Sequence, residues 1–234
     1  MASILPEETV RRPVMRARWR NQAFVHWPVP VEAVEALLPA GLVVDVYDDR
    51  AWVTLTPLWM ADVRLAGVPQ RRGPGRHATF PETNLRTYVR GPGGRDGLWF
   101  FSLDVTNAAL TAAARAGVGA PYHLADLSIT ELDGDQCYAG TRRGGRPSYQ
   151  LRVRPGAPII EPSARDIWLT SRWRAYTRHA GVLLETAVAH EPWPLRRATI
   201  TEFREDLSAA AGLPPAPADL PSPANSTVTI TVHG

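Results

Sequence analysis

The sequence contains no lysine: all 26 of its basic side chains are arginine. That absence removes a branch of chemistry, because no side-chain amine exists to form a Schiff base and a guanidinium does not deprotonate in a protein. Cysteine is nearly absent as well. Cys137 stands alone in 234 residues, which excludes an internal disulfide framework and suits a reducing compartment. No apolar run reaches the roughly 18 residues of a membrane span. The opening MASILPEETVRRPVMRARWR has no apolar core, so neither a secretory signal nor a membrane anchor is expected and the cytoplasm is the default location. The six histidines (His26, His77, His123, His179, His190 and His233) show no HxH, HExxH or Cys/His spacing. No metal site is therefore expected. Nor is there a Gly-rich phosphate loop, and no cofactor is expected.

The excess of charge is small, +3 over the whole chain. Arg11, Arg12, Arg16, Arg18 and Arg20 cluster with Trp19 near the start, a pattern that could serve a nucleic-acid arm. No nucleic-acid motif follows it, so residues 1–14 read as a basic, solvated leader and 15–234 as one domain. The expected partner is a small molecule rather than nucleic acid or membrane, with a homo-oligomer left open.

What is present centres on Phe80–Val89, FPETNLRTYV. As a strand with period 2 it sends Glu82, Asn84, Arg86 and Tyr88 to one face and Thr83, Leu85, Thr87 and Val89 to the other. After Gly91-Pro-Gly-Gly comes a second aromatic-rich run, Leu98–Val105, so the pair reads as a β-hairpin. A loop centred near Gly94 would set Tyr88 opposite Phe100, Arg86 opposite Ser102 and Asn84 opposite Asp104. The polar face either looks at water or lines a cavity, and the flanking Tyr88 and Phe100 favour a sheet buried on both sides. Glu82 and Arg86 lie about 13 Å apart along an extended strand, too far to neutralise each other. If buried, each needs its own partner or a ligand.

Elsewhere, Phe24–Pro30, Leu42–Val46, Ala51–Met60 and 227–232 read as strands. Helices are expected over 31–38, over 108–116 ending at Gly117, and over 163–180, where Ser163 is an N-cap and Leu169, Trp173 and Tyr176 form an apolar stripe. Residues 66–78 form a Gly-, Pro- and Arg-rich loop placed to cover a site, and 212–226 a Pro- and Ala-rich tail.

Seven landmarks run in order along the chain: HWPVP at 26–30, LLPAGL at 37–42, FPETNLRTYV at 80–89, WFFSLD at 99–104, PYHLADL at 121–127, WLTSRWRAYT at 168–177 and HEPWPL at 190–195. Together they resemble the uncharacterised YqjF-like family of the acetoacetate decarboxylase-like superfamily. The resemblance implies a mainly β fold, an antiparallel, cone-shaped β-barrel with peripheral helices and a pocket inside. It also implies that Tyr122 and His123 stand where the decarboxylases carry their reactive lysine and its neighbour, so imine chemistry does not carry over. Phe80-Pro81-Glu82 matches the segment that delivers a carboxylate to the site. His26 and Trp27 occupy the approach where those relatives place a substrate-binding arginine.

The expectation that follows is an enzyme without a Schiff base, acting on a small, largely apolar carbonyl compound by dehydration, isomerisation, cyclisation or a lyase step, in keeping with specialised metabolism. Glu82, Tyr122 and His123 would move protons. Arg86, Asn84, His26, Trp27, Phe100 and His190 would hold the substrate. The alternative left open is a pocket that binds a hydrophobic ligand without turnover.

Overall fold

The computed structural model describes residues 3–66, 78–217, 220 and 227–231. Along the chain come β1 (Met15–Arg20), β2 (Gln22–Val29), α1 (Val31–Glu35), β3 (Val43–Val44), β4 (Ala51–Leu65), β5 (Ala78–Arg90), β6 (Asp96–Val105) and α2 (Ala108–Val118). They are followed by β7 (Tyr122–Leu132), β8 (Asp135–Arg142), β9 (Ser148–Pro158), α3 (Ala164–Thr170), β10 (Arg174–His179), β11 (Val182–Ala187), β12 (Leu195–Glu205), α4 (Leu207–Ala210) and β13 (Thr227–Thr231). The expected site-covering loop falls, from 67 to 77, outside the described residues, as do 218–219 and 221–226 of the tail.

The fold is mainly β, as expected, but the expectation of a purely antiparallel sheet needs correction. The strands form one 13-stranded sheet in the order β11-β10-β6-β7-β8-β9-β12-β13-β2-β4-β5-β3, with β1 on β4. This sheet has β11 and β3 at the two ends of that order. It is also mixed, because β6 runs parallel to both β7 and β10. A further pairing of β6 with β5 curls the path back on itself. One face of the sheet forms the main core, with Val25, Trp27, Val53, Leu55, Leu85, Tyr138, Leu151 and Val153 buried together, all apolar at every second position.

The hairpin forms, with a register other than the one its sequence suggested. A 3-10 turn at Pro92–Gly94 tightens the loop, with φ near +75° at Gly93 and Gly94, so Tyr88 pairs with Leu98 and Arg86 with Phe100. A bulge then shifts the ladder, and Asp104 falls opposite Thr83. Each slip of one residue moves a side chain to the other face, which takes Asp104 away from the Glu82 side.

The helix expected over 163–180 stops at Thr170. Its N-terminus is as expected: Ser163 caps it, with a reciprocal hydrogen bond between Asp166 and the Ser163 backbone. Beyond it, Arg174–His179 turns back through Ala180-Gly181 and pairs with β11. The Leu169, Trp173, Tyr176 spacing that looks helical is the product of a short helix abutting a strand. The other end of α2 also differs, since the helix runs to Val118 and Gly119 follows with φ +64°.

Gly119 is required there. A Cβ would strike the carbonyl of Arg178, a backbone group that cannot rotate away, and the positive φ adds strain for any other residue. Gly119→Ala is expected to lose about 1–3 kcal/mol of stability, read from urea melts.

Residues before β1 pack on the body of the fold. The Ser3 carbonyl accepts from Trp173 Nε1 at 2.8 Å, and Glu7 and Glu8 accept from Arg174 at 2.6 and 3.1 Å.

Candidate functional site

Four neighbouring strands set the site. His26 on β2 lies opposite Thr54 on β4; Thr54 lies opposite Arg86 on β5, and Arg86 opposite Phe100 on β6. One step along, Thr56 faces Asn84, and one further, Leu58 faces Glu82. Directly paired residues share a face, so Glu82, Asn84, Arg86 and Tyr88 form one polar surface with His26, Thr54 and Thr56. On β13, Thr229 and Thr231 extend it opposite Phe24 and Gln22.

This surface is covered, not solvated. The Tyr88 hydroxyl donates to the Leu169 carbonyl of α3 at 2.6 Å, and the Trp168 ring lies 4.6 Å from that of Tyr88. Trp193 packs 5.7 Å from Phe24 and is fixed by its Nε1 donating to the Thr170 carbonyl at 3.0 Å. Trp19, Trp173 and His190 complete an aromatic roof, with His190 4.1 Å from Trp193 and 4.4 Å from Trp173.

Glu82 is 4% exposed and makes no ion pair among the described residues. Burial pushes its pKa up to about 7, although hydrogen bonds from Asn84 and Tyr122 work the other way. The Tyr122 hydroxyl reaches Oε2 at 3.4 Å. Burial and the Glu82 charge together raise the phenol's own pKa, so Tyr122 remains a donor throughout the neutral range. The arrangement is a carboxylic acid able to gain or lose a proton near pH 7, next to a fixed proton donor.

Arg86 is 7% exposed and has no carboxylate partner among the described residues. Its guanidinium lies 5.4 Å from the Phe24 ring centroid, and its Nε lacks a hydrogen-bond partner among the described residues. Burial lowers its pKa, partly offset by Tyr88, but a guanidinium does not give up its proton in a protein. An unneutralised buried cation costs several kcal/mol, and such a group suits an anionic ligand.

His26 is fully buried beside Thr54, with its Nδ1 2.8 Å from Thr54 Oγ1. Burial, then Arg86 and Arg165, push its pKa well below the usual histidine value, so the ring is neutral. Phe100 supplies an apolar wall opposite Arg86, packed against Tyr88 and Trp168. His190 is half-buried, with Nδ1–H donating to the Glu191 carbonyl at 2.6 Å.

Two candidates turn elsewhere. Trp27 alternates away from His26 into the main core, 6.2 Å from Phe203. His123 pairs with Asp104 and shares the face opposite Glu82. There Asp104 binds Arg142 through both oxygens at 3.0 Å. The His123 pKa falls to about 4, through burial first and then Arg142 and Arg115. Adjacent strand residues point opposite ways, so Tyr122 enters the site and His123 does not. Thr54, Thr56, Gln22, Thr229 and Thr231 belong to the surface and were not singled out from sequence. Their signal was a polar residue at every second position of otherwise apolar strands, as in Thr54-Leu-Thr56 and Thr229-Ile-Thr231.

Among the described residues no group of three His, Cys, Asp or Glu could hold a metal ion.

A family model described as an uncharacterised conserved protein, DUF2071, matches residues 16–229. The chain belongs to the DUF2071 family. The uncharacterised protein YqjF of Bacillus subtilis (strain 168) is 36% identical to this DUF2071 chain over 189 residues, covering 79% of it and 76% of YqjF. Among solved structures, the DUF2071 chain resembles an acetoacetate decarboxylase with TM-score 0.60 and 13% identity, over 97% of this chain and 86% of that one. It also resembles the enduracididine biosynthesis enzyme MppR, in complex with the condensation product of pyruvate and imidazole 4-carboxaldehyde, with TM-score 0.60 and 15% identity over 96% and 89% of the two chains. An acetoacetate decarboxylase-like enzyme from Sphingomonas wittichii RW1 gives TM-score 0.53 and 16% identity over 100% and 97%. The DUF2071 chain has the acetoacetate decarboxylase-like fold.

Proposed function

We propose that this DUF2071 protein is an enzyme that moves a proton at the carbon next to the carbonyl of a small carboxylate-bearing molecule, without a covalent intermediate on the protein. One observation carries this reading: a carboxylic acid that titrates near neutral pH shares a buried face with an arginine that has no protein counter-ion among the described residues. In the proposed reaction Arg86 holds the substrate carboxylate. Ionised Glu82 takes the proton next to the carbonyl, and the negative charge passes to the carbonyl oxygen, where Asn84 and the Arg86 guanidinium stabilise the enolate. Protonated Glu82 then returns the proton, to the same carbon or, in a productive isomerisation, to another. Tyr122 keeps the Glu82 carboxyl in place and supplies the hydrogen bond that the ionised form needs. Phe100 and the Trp193 roof exclude water. Support also comes from the fold, since the structural neighbours are acetoacetate decarboxylase-like enzymes and MppR is described in complex with pyruvate.

The test needs no knowledge of the natural substrate. Pyruvate and acetoacetate are incubated with the protein in deuterium oxide, and loss of the protons next to the carbonyl is followed by proton NMR. The wild type is expected to exchange them faster than buffer, and Glu82→Gln to reduce the enzymatic rate by about 10²–10⁴-fold. Binding of either acid without any exchange would make the protein a ligand carrier and overturn the catalytic reading.

A further inference from the structure

We infer that His26 selects the ligand of this site: its ring carries its proton on Nδ1 and offers the bare Nε2 as acceptor to a hydroxyl or N–H group of the bound molecule. The inference rests on the reading of this face as a carboxylate site and names a second feature the ligand must have.

The tautomer follows from accounting for each proton. The Tyr88 hydroxyl lies 2.6 Å from the Leu169 carbonyl, which can only accept, so the phenolic proton is committed there. Thr54 Oγ1 is 2.7 Å from the Tyr88 oxygen and 2.8 Å from His26 Nδ1. Were Thr54 to donate to His26, the contact between Thr54 and Tyr88 would contain no proton and two lone pairs would face each other. The opposite order gives every contact a proton. His26 Nδ1–H donates to Thr54, with the Tyr88 oxygen also within 3.2 Å, Thr54 donates to Tyr88, and Tyr88 donates to Leu169. Nε2 is left unprotonated. It is fully buried and has no hydrogen-bond partner among the described residues.

The rest of the face has the same deficit. Asn84 Oδ1 and Gln22 Oε1 are acceptors without donors, and the hydroxyls of Thr56, Thr229 and Thr231 are also unpartnered among the described residues. A buried polar atom left unmatched costs about 1–3 kcal/mol, and these lie on adjacent strands of one surface. The nearby cations are Arg86 on β5 and Arg165 on α3; neither supplies a proton to Nε2. A surface with two cations that no carboxylate pairs among the described residues, buried Arg86 and half-buried Arg165, and a row of unpartnered acceptors and hydroxyls fits a hydroxylated carboxylic acid. Its carboxylate would sit at Arg86 and its hydroxyls would donate to His26 and its neighbours.

Two measurements on the full chain test this. Long-range ¹H–¹⁵N spectra of protein labelled in histidine, with the His26 signals identified by their loss in His26→Phe, report the tautomer directly. The expected spectrum shows a protonated Nδ1 and a bare Nε2 at neutral pH; a protonated Nε2 overturns the inference. Titration with glycerate and with propionate, which has the same carbon skeleton and no hydroxyl, then tests the ligand class. Glycerate is expected to bind about tenfold more tightly, roughly one well-made buried hydrogen bond. His26→Phe keeps a ring against Phe24 but no acceptor, and is expected to remove the difference. Equal affinities in the wild type overturn the ligand class, and they decide it even if His26→Phe fails to fold. If neither acid binds while the tautomer is as expected, the carboxylate reading of the face fails and the ligand class falls with it. A wrong tautomer with tight glycerate binding overturns the role of His26 alone.

Discussion

Glu82→Gln is expected to be more stable than the wild type at pH 8 and about equal to it at pH 4. In the folded protein the carboxyl holds its proton up to about pH 7, whereas the unfolded chain releases it near the ordinary glutamate value of 4.5. Between those two values the folded state binds more protons than the unfolded one, so stability falls as pH rises. The contribution is fully present below 4.5 and gone above about 7. It amounts to about 3 kcal/mol for a group this deeply buried. Glutamine cannot ionise and avoids the loss. His26 and His123, whose pKa values are lowered, act in the opposite sense, which is why the difference between the two proteins is the quantity to measure. Urea melts from pH 4 to pH 8 give it. A difference that does not grow with pH would mean that Glu82 ionises normally and the proposed acid–base group is not one. A gain in stability with a loss of exchange activity is the usual signature of a residue kept for function.

Two buried arginines are expected to respond in opposite ways to the same substitution. Arg172 donates from Nη1 to Asp45 at 2.8 Å and to Asp96 at 2.6 Å, and from Nε to the Trp168 carbonyl at 3.0 Å. Its guanidinium also stacks 4.4 Å from the Trp168 ring. Arg172→Met leaves buried Asp45 with, among the described residues, only the partly exposed Arg90, and loss of one partner of a buried pair costs about 3–5 kcal/mol. For a chain of this size that is a fall in melting temperature of roughly 6–20 °C. Arg172 also holds α3 against the sheet, so its loss would loosen the Leu169 carbonyl that receives Tyr88. Arg86→Met removes a charge with no protein counter-ion among the described residues, and is expected to leave the melting temperature unchanged or raise it while abolishing binding of small carboxylates. Melting curves of both variants decide the matter. An equal fall for both would show that Arg86 is structural.

The residue types on Phe80–Val89 and their alternation already separated a polar from an apolar face, and the order of seven motifs already pointed to the fold superfamily. The absence of lysine excluded a side-chain Schiff base without any coordinates. Strand periodicity is a local property, readable from side chains two residues apart, and so the composition of each face was legible. Register is not local. It depended on a 3-10 turn and a bulge that moved Asp104 to Arg142 and left Arg86 opposite Phe100. The segment after α3 was misread because Trp173 and Tyr176 satisfy helical spacing, whereas only the partner strands β6 and β11 make Arg174–His179 extended. Proximity between Tyr122 and Glu82 followed from resemblance, but that Tyr122 and not His123 enters the site was settled by the parallel pairing of β7 with β6. What no sequence pattern carried is the set of partners: that Glu82 and Arg86 are both buried, that neither has an opposite charge among the described residues, and that the proton of His26 is directed by Thr54, Tyr88 and a carbonyl on α3. Those depend on segments far apart in the chain meeting in space, and only the tertiary structure brings them together.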